Sequence, residues 1–189
     1  MKEIKKRRLP AGIQSFTAIR EGGYAYVDKT DIVWQIVNEG DKYNYLSRPR
    51  RFGKSILVDT LQCYLEGRKE LFEGLKIMQF EKDWVKHPVI HFDMSGAGSS
   101  REELTSFFED TFEEYEKKYG IVSHPKTLSK RFKNIIMTAR EQSGQKVAVL
   151  IDEYDSPLQH SWKTPHHEEC TEVYRTVFAI LKEADEYEK

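Results

Sequence analysis

Five consecutive apolar residues, Val147-Ala148-Val149-Leu150-Ile151, run without a break into Asp152-Glu153. A continuous β-branched run of that length reads as a strand covered on both faces, the pattern of a parallel sheet rather than of a half-wet antiparallel one. Parallel neighbours cannot be joined by a tight turn and need a crossover of a dozen or more residues, usually a helix. Helical patterns should therefore separate this strand from its neighbours.

They do. Asp28 or Thr30 can cap a helix carrying Ile32, Val33, Ile36 and Val37, which stops at Gly40. A second helix from about Lys54 to Glu66 carries Leu57, Leu61, Tyr64 and Leu65, and Gly67 ends it. Ser100-Arg101-Glu102-Glu103 has the form of a capping box, with an apolar stripe of Leu104, Phe107, Phe108, Phe112, Tyr115 and Tyr119 behind it and Gly120 after it. Leu128, Phe132, Ile135, Ile136 and Ala139 repeat the stripe up to Gly144. Thr164-Pro165 opens a last helix with Val173, Val177, Ile180, Leu181 and Ala184. Between these helices, Tyr24–Val27, Tyr43–Ser47 and Val89–Asp93 read as further strands. The fold class is α/β with a mainly parallel sheet, and the aromatic stripes are core.

With 189 residues and no internal repeat or low-complexity linker, the chain reads as a single domain, 1–189, with residues 1–8 a flexible basic tail. Thirty Lys and Arg stand against 31 Asp and Glu, so a chain-wide basic field of the nucleic-acid-binding kind is absent. No apolar run approaches the roughly 18 residues of a membrane span. The basic start is followed by Leu9-Pro10-Ala11-Gly12, not by the apolar core of a secretory signal. Two cysteines, Cys63 and Cys170, form no CxxC, so reduced thiols and a cytoplasmic setting are expected. Charge is nonetheless uneven: residues 1–8 hold five bases against one acid, and residues 48–54 hold four bases and no acid.

The second basic run is Ser47-Arg48-Pro49-Arg50-Arg51-Phe52-Gly53-Lys54-Ser55, between an expected strand and an expected helix. A phosphate loop needs backbone N–H groups curled around an anion at a helix N-terminus. It also needs a lysine for the β- and γ-phosphates and a hydroxyl for Mg²⁺. Gly53, Lys54 and Ser55 supply the last three positions of G-x-x-x-x-G-K-[ST], but Arg48 stands where the first glycine would be and Pro49 has no N–H. Gly-Lys-Ser by itself is a weak signal. The strand at 147–151 strengthens it, because a Walker B strand delivers an Asp to Mg²⁺ at its carboxyl end and a following Glu can polarise the attacking water.

Four strings then occur in order: Leu9-Pro10-Ala11-Gly12-Ile13-Gln14, Tyr26-Val27-Asp28-Lys29-Thr30, the Ser47–Ser55 run, and Leu150-Ile151-Asp152-Glu153-Tyr154-Asp155. Together they resemble the predicted AAA-ATPase-like family of bacterial proteins, in which Arg-Pro replaces the first loop glycine. The resemblance implies a P-loop NTPase-like three-layer sandwich, ATP and Mg²⁺ as cofactors, and commonly a PD-(D/E)XK nuclease-like domain after the ATPase. It implies Lys54 and Ser55 as phosphate and Mg²⁺ contacts, Asp152 as the Walker B acid and Glu153 as the catalytic base. The nucleotide-binding set is then Arg50, Arg51, Phe52, Gly53, Lys54, Ser55 and Ile56, the metal pair Ser55 and Asp152, and the catalytic pair Glu153 and Lys54. Ser156 departs from the lysine the family more often has after Tyr-Asp.

Other residues carry open alternatives. Arg50 and Arg51 suit phosphate oxygens, a solvated loop or nucleic acid equally. Asp93 and Ser95 fit a γ-phosphate sensor or a turn cap, and Asp28–Thr30 a base contact or a helix cap. His160, His166, His167, Glu168, Glu169 and Cys170 match no zinc spacing; His87 and His91 read as core or edge residues. The expected function is an ATP-binding P-loop domain that is an ATPase in its complete form. The sheet is expected to stop before the sensor strand, so that residues 1–189 alone turn over little. The alternatives are a nucleotide-dependent switch with little hydrolysis, or a nucleic-acid-binding module built on residues 1–8 and 48–54.

Overall fold

A computed structural model describes residues 7–47, 52–123 and 125–183. Arg48, Pro49, Arg50 and Arg51 lie outside the described residues. The chain forms two compact units, Met1–Lys86 and His87–Lys189. The architecture is α/β, with seven α-helices and one parallel sheet of two strands among the described residues.

The first unit contains α1 (Phe16–Glu21), α2 (Thr30–Asn38) and α3 (Lys54–Leu65), followed by short 3₁₀ turns at Lys69–Phe72 and Lys76–Gln79. Phe72 sits at the centre of its core, with the rings of Phe16 and Trp84 at centroid distances of 4.9 and 5.2 Å. Polar clamps fix the rest. Asp59 of α3 accepts the Phe16 N–H that opens α1. The Arg20 guanidinium donates to the carbonyls of Leu71 and Glu73, both at 2.6 Å. Asp28 Oδ1 accepts from the Thr30 N–H and hydroxyl, while Oδ2 accepts from the Lys76 N–H. Thr30 Oγ1 in turn accepts from the Ile77 N–H, so Asp28 and Thr30 tie the start of α2 to the 3₁₀ turn at Lys76–Gln79.

Two expected strands are not formed. Residues 24–27 and 43–47 are irregular, and Val27 and Tyr45 are more than two-thirds exposed. β-propensity records packing against a paired neighbour. No strand pairs with either segment among the described residues, so their aromatic alternation has no ladder to join.

The second unit pairs β1 (Val89–Asp93) in parallel with β2 (Ala148–Asp152), in the register Val89↔Ala148 to Asp93↔Asp152. Alternation puts Ile90 and Phe92 on the same face as Val149 and Ile151. That face is packed by α4 (Arg101–Lys118), α5 (Leu128–Ser143) and α7 (His167–Glu183). Phe92 is the keystone: Phe108, Phe112, Phe132 and Phe178 surround it at centroid distances of 5.4 to 6.2 Å. The capping box at Ser100 and Glu103 forms as the sequence predicts, and Gly144 closes α5 in the left-handed region at φ 66°.

The run at 147–151 is less covered than its composition predicts. Val147 and Ala148 are buried, but Val149, Leu150 and Ile151 are half-buried, because in a two-stranded sheet each strand is an edge. The outer edge of β1 is occupied by a side chain instead of a strand. The Tyr115 hydroxyl accepts from the His91 N–H at 2.7 Å and donates to the His91 carbonyl at 3.4 Å. Between α4 and α5, buried Glu116 receives two hydrogen bonds from Arg131, at 2.8 and 2.7 Å. No helix among the described residues is long and apolar enough to cross a membrane.

Candidate functional site

In the first unit the Gly-Lys-Ser motif falls at a helix start, as the phosphate-loop pattern requires. Gly53 precedes α3 in the left-handed conformation, φ 75° and ψ 30°, and its carbonyl accepts from the Leu57 N–H. A Cβ built at Gly53 meets no atom of the described residues within 4 Å, and its backbone angle is one that favours glycine. The N-cap Gly53 has no side chain to cap α3, whose first turn begins at Lys54, Ser55 and Ile56. A helix start of this kind presents positive potential to an anion. Lys54, Ser55 and Ile56 are half-buried, whereas Phe52 is 65% exposed. Behind the loop, Leu57, Cys63 and Tyr64 lock α3 into the core, and Thr60 donates to the Ile56 carbonyl.

In the second unit β2 delivers Asp152 and Glu153 at its carboxyl end. Asp152 is 9% exposed, and its Oδ1 accepts from the Glu153 N–H at 2.9 Å. Glu153 itself has φ 49°, a conformation that a non-glycine residue holds only at a cost of about 1–3 kcal/mol. The Ser156 N–H closes the turn by donating to the Glu153 carbonyl at 2.9 Å, and α6 (Ser156–Ser161) follows. Tyr174 of α7 donates its hydroxyl to the Tyr154 carbonyl at 2.6 Å. Nothing in the sequence signalled the left-handed Glu153 or the part played by Tyr174, since both depend on how α7 meets the turn.

Opposite Asp152 in register, Asp93 accepts the Ser95 N–H and caps the 3₁₀ turn Met94–Gly96, the turn-cap reading of the sequence. Asp28 and Thr30 are likewise engaged by backbone groups of their own unit. The histidine-rich segment holds no group of three metal-binding side chains among the described residues. There His160 meets Ser156, His166 lies 3.6 Å from Glu169, and His167 meets Ser161 and stands edge-on to Trp162. Cys63 and Cys170 are buried free thiols, and burial pushes both pKa values up, the opposite of nucleophile activation. His91 is a core-edge residue whose buried Nε2 has no hydrogen-bond partner among the described residues.

The fold and these motifs define an α/β protein with a Gly-Lys-Ser helix start in one unit and a paired acid at the tip of a parallel strand in the other. The chain belongs to the predicted AAA-ATPase family, whose model matches residues 10–189. A protein from Azotobacter chroococcum mcd 1, described as an uncharacterized protein in the vnfD 5′ region, is 35% identical over 186 residues. That match covers 96% of this chain and 36% of the relative, so the chain spans about a third of the relative's length. No solved structure matches the chain.

Proposed function

We propose that this chain is an ATP–Mg²⁺-binding P-loop domain, a single functional domain whose two-stranded sheet forms part of a three-layer sandwich. One observation carries the reading most: a left-handed Gly53 stands directly before a helix that starts with Lys54 and Ser55. These residues fit a polyphosphate. Lys54 answers the β- and γ-phosphates as a point charge, the N–H groups from Gly53 to Ile56 face the anion, and Ser55 offers its hydroxyl to Mg²⁺. Arg50, Arg51 and Phe52 complete the binding run. Asp152, largely withdrawn from water, serves the Mg²⁺ ion, which when bound neutralises charge on the phosphates. Glu153 orients the attacking water and takes its proton.

Hydrolysis by the complete protein follows from these roles, with a nuclease-like domain as its expected companion and the cytoplasm as its setting. A weaker second reading, single-stranded nucleic acid binding, is favoured by the exposure of Tyr43, Tyr45 and Phe52 on either side of the basic run. The test is calorimetry with Mg–ATP on the wild type and Lys54→Ala. Loss of binding in the variant supports the P-loop reading, and unchanged affinity overturns it. DNA affinity that falls steeply with salt and ignores ATP would favour the second reading.

A further inference from the structure

The Glu153 backbone sits at φ 49°, where a glutamate does not rest unless its surroundings hold it. Two of the holding contacts lie within the turn: Glu153 N–H to Asp152 Oδ1, and Ser156 N–H to the Glu153 carbonyl. A third reaches in from another helix. The Tyr174 hydroxyl donates to the carbonyl of Tyr154, the residue after Glu153, at 2.6 Å.

We propose that Tyr174 is a positioning residue for Glu153, holding the turn after β2 so that the carboxylate keeps one orientation. The proposal rests on the ATPase reading above for its consequence in catalysis, but not for its geometry. Three features suit Tyr174 to the task. Its ring is fixed in the core against Phe108 and Phe178, at centroid distances of 6.3 and 5.4 Å. Its neighbours on α7, Cys170 and Val177, are fully buried, so the phenol is carried on a rigid support. Burial, with Asp155 nearby, raises its pKa above the ordinary tyrosine value, so the hydroxyl remains a donor throughout the neutral range. This bond gives a movement of α7 a route to the Glu153 turn.

Tyr174→Phe tests this cleanly, because it removes one oxygen and leaves the ring packing in place. In the 189-residue chain, backbone NMR couplings of the wild type should carry the positive-φ signature at residue 153. In the variant that signature should average out, with the amides of the turn exchanging about tenfold faster while those of β2 stay protected. Under enzyme excess, single-turnover ATP hydrolysis should slow about tenfold with ATP affinity unchanged, a split that general loosening of the fold would not produce. Unchanged couplings and exchange at residue 153 overturn the clamp. An unchanged hydrolysis rate, or a wild type that binds ATP without ever hydrolysing it, overturns its catalytic role. A wild type that does not bind ATP sinks the ATPase reading instead, and the couplings still decide the clamp.

Discussion

Gly53→Ala tests the backbone requirement at the start of α3, because a methyl group there meets no atom of the described residues within 4 Å. The cost must therefore come from φ. Alanine in the left-handed region is disfavoured by about 1–2 kcal/mol. Against this, alanine stiffens the unfolded chain, a gain of about 0.4–1 kcal/mol. The net expectation is about 1 kcal/mol of destabilisation, a shift of about 0.3–1 M in the urea midpoint for ordinary slopes. The first unit holds Trp34 and Trp84 and the second Trp162, so a Trp162→Phe background makes tryptophan fluorescence report the first unit alone. Trp162 is 61% exposed, and removing it should cost little. Gly53→Asn is the partner variant, since asparagine tolerates the left-handed region and is a good N-cap. Asn should recover most of the midpoint lost with Ala. If Asn restores stability while ATP affinity stays low, glycine is also needed for close approach of a phosphate. An alanine variant with an unshifted midpoint, or Asn no better than Ala, refutes the left-handed assignment on which the loop geometry depends.

The remaining predictions concern the two cores. Glu116→Ala should destabilise the second unit by about 3–5 kcal/mol, because it leaves the half-buried Arg131 guanidinium without its paired carboxylate; replacing both residues by leucine should recover most of the loss in thermal denaturation. In the first unit, burial works against the Glu81 carboxylate, but hydrogen bonds from the Tyr64 hydroxyl and the Trp84 and Asp83 N–H groups outweigh it and hold its pKa below the ordinary value. That contribution to stability is present above the ordinary glutamate range and is lost as pH falls through the lowered pKa, so an acid titration monitored by Trp84 should lose this limb in Tyr64→Phe. Tyr115→Phe leaves the His91 N–H without its side-chain acceptor on the outer edge of β1, and sedimentation should show increased self-association.

Local rules made the helices legible. The Ser100 box, the Gly144 stop and the 3.6-residue stripes of α4 and α5 depend on neighbours within a few positions, and each forms as read. The strands divided by the same logic. Val89–Asp93 and Ala148–Asp152 find each other and form, whereas 24–27 and 43–47 carry equal propensity without a pairing strand among the described residues and do not. Propensity states what a segment can do, and pairing decides whether it does.

The same distinction sorts the four recurrent strings by what each residue must satisfy. Asp28 and Thr30 lie in one of them, yet their oxygens are committed to N–H groups and a hydroxyl within the first unit, so a packing demand accounts for their identity. Asp59 and Arg20 do comparable work outside the strings. Gly53 and Glu153 are different. Each holds a left-handed backbone, and at Gly53 no packed neighbour among the described residues explains the choice. A glutamate is a poor residue for such an angle, and an asparagine or glycine after Asp152 would relieve the strain. On the proposed ATPase reading, this strained turn sets the Glu153 carboxylate where a water-orienting base is required.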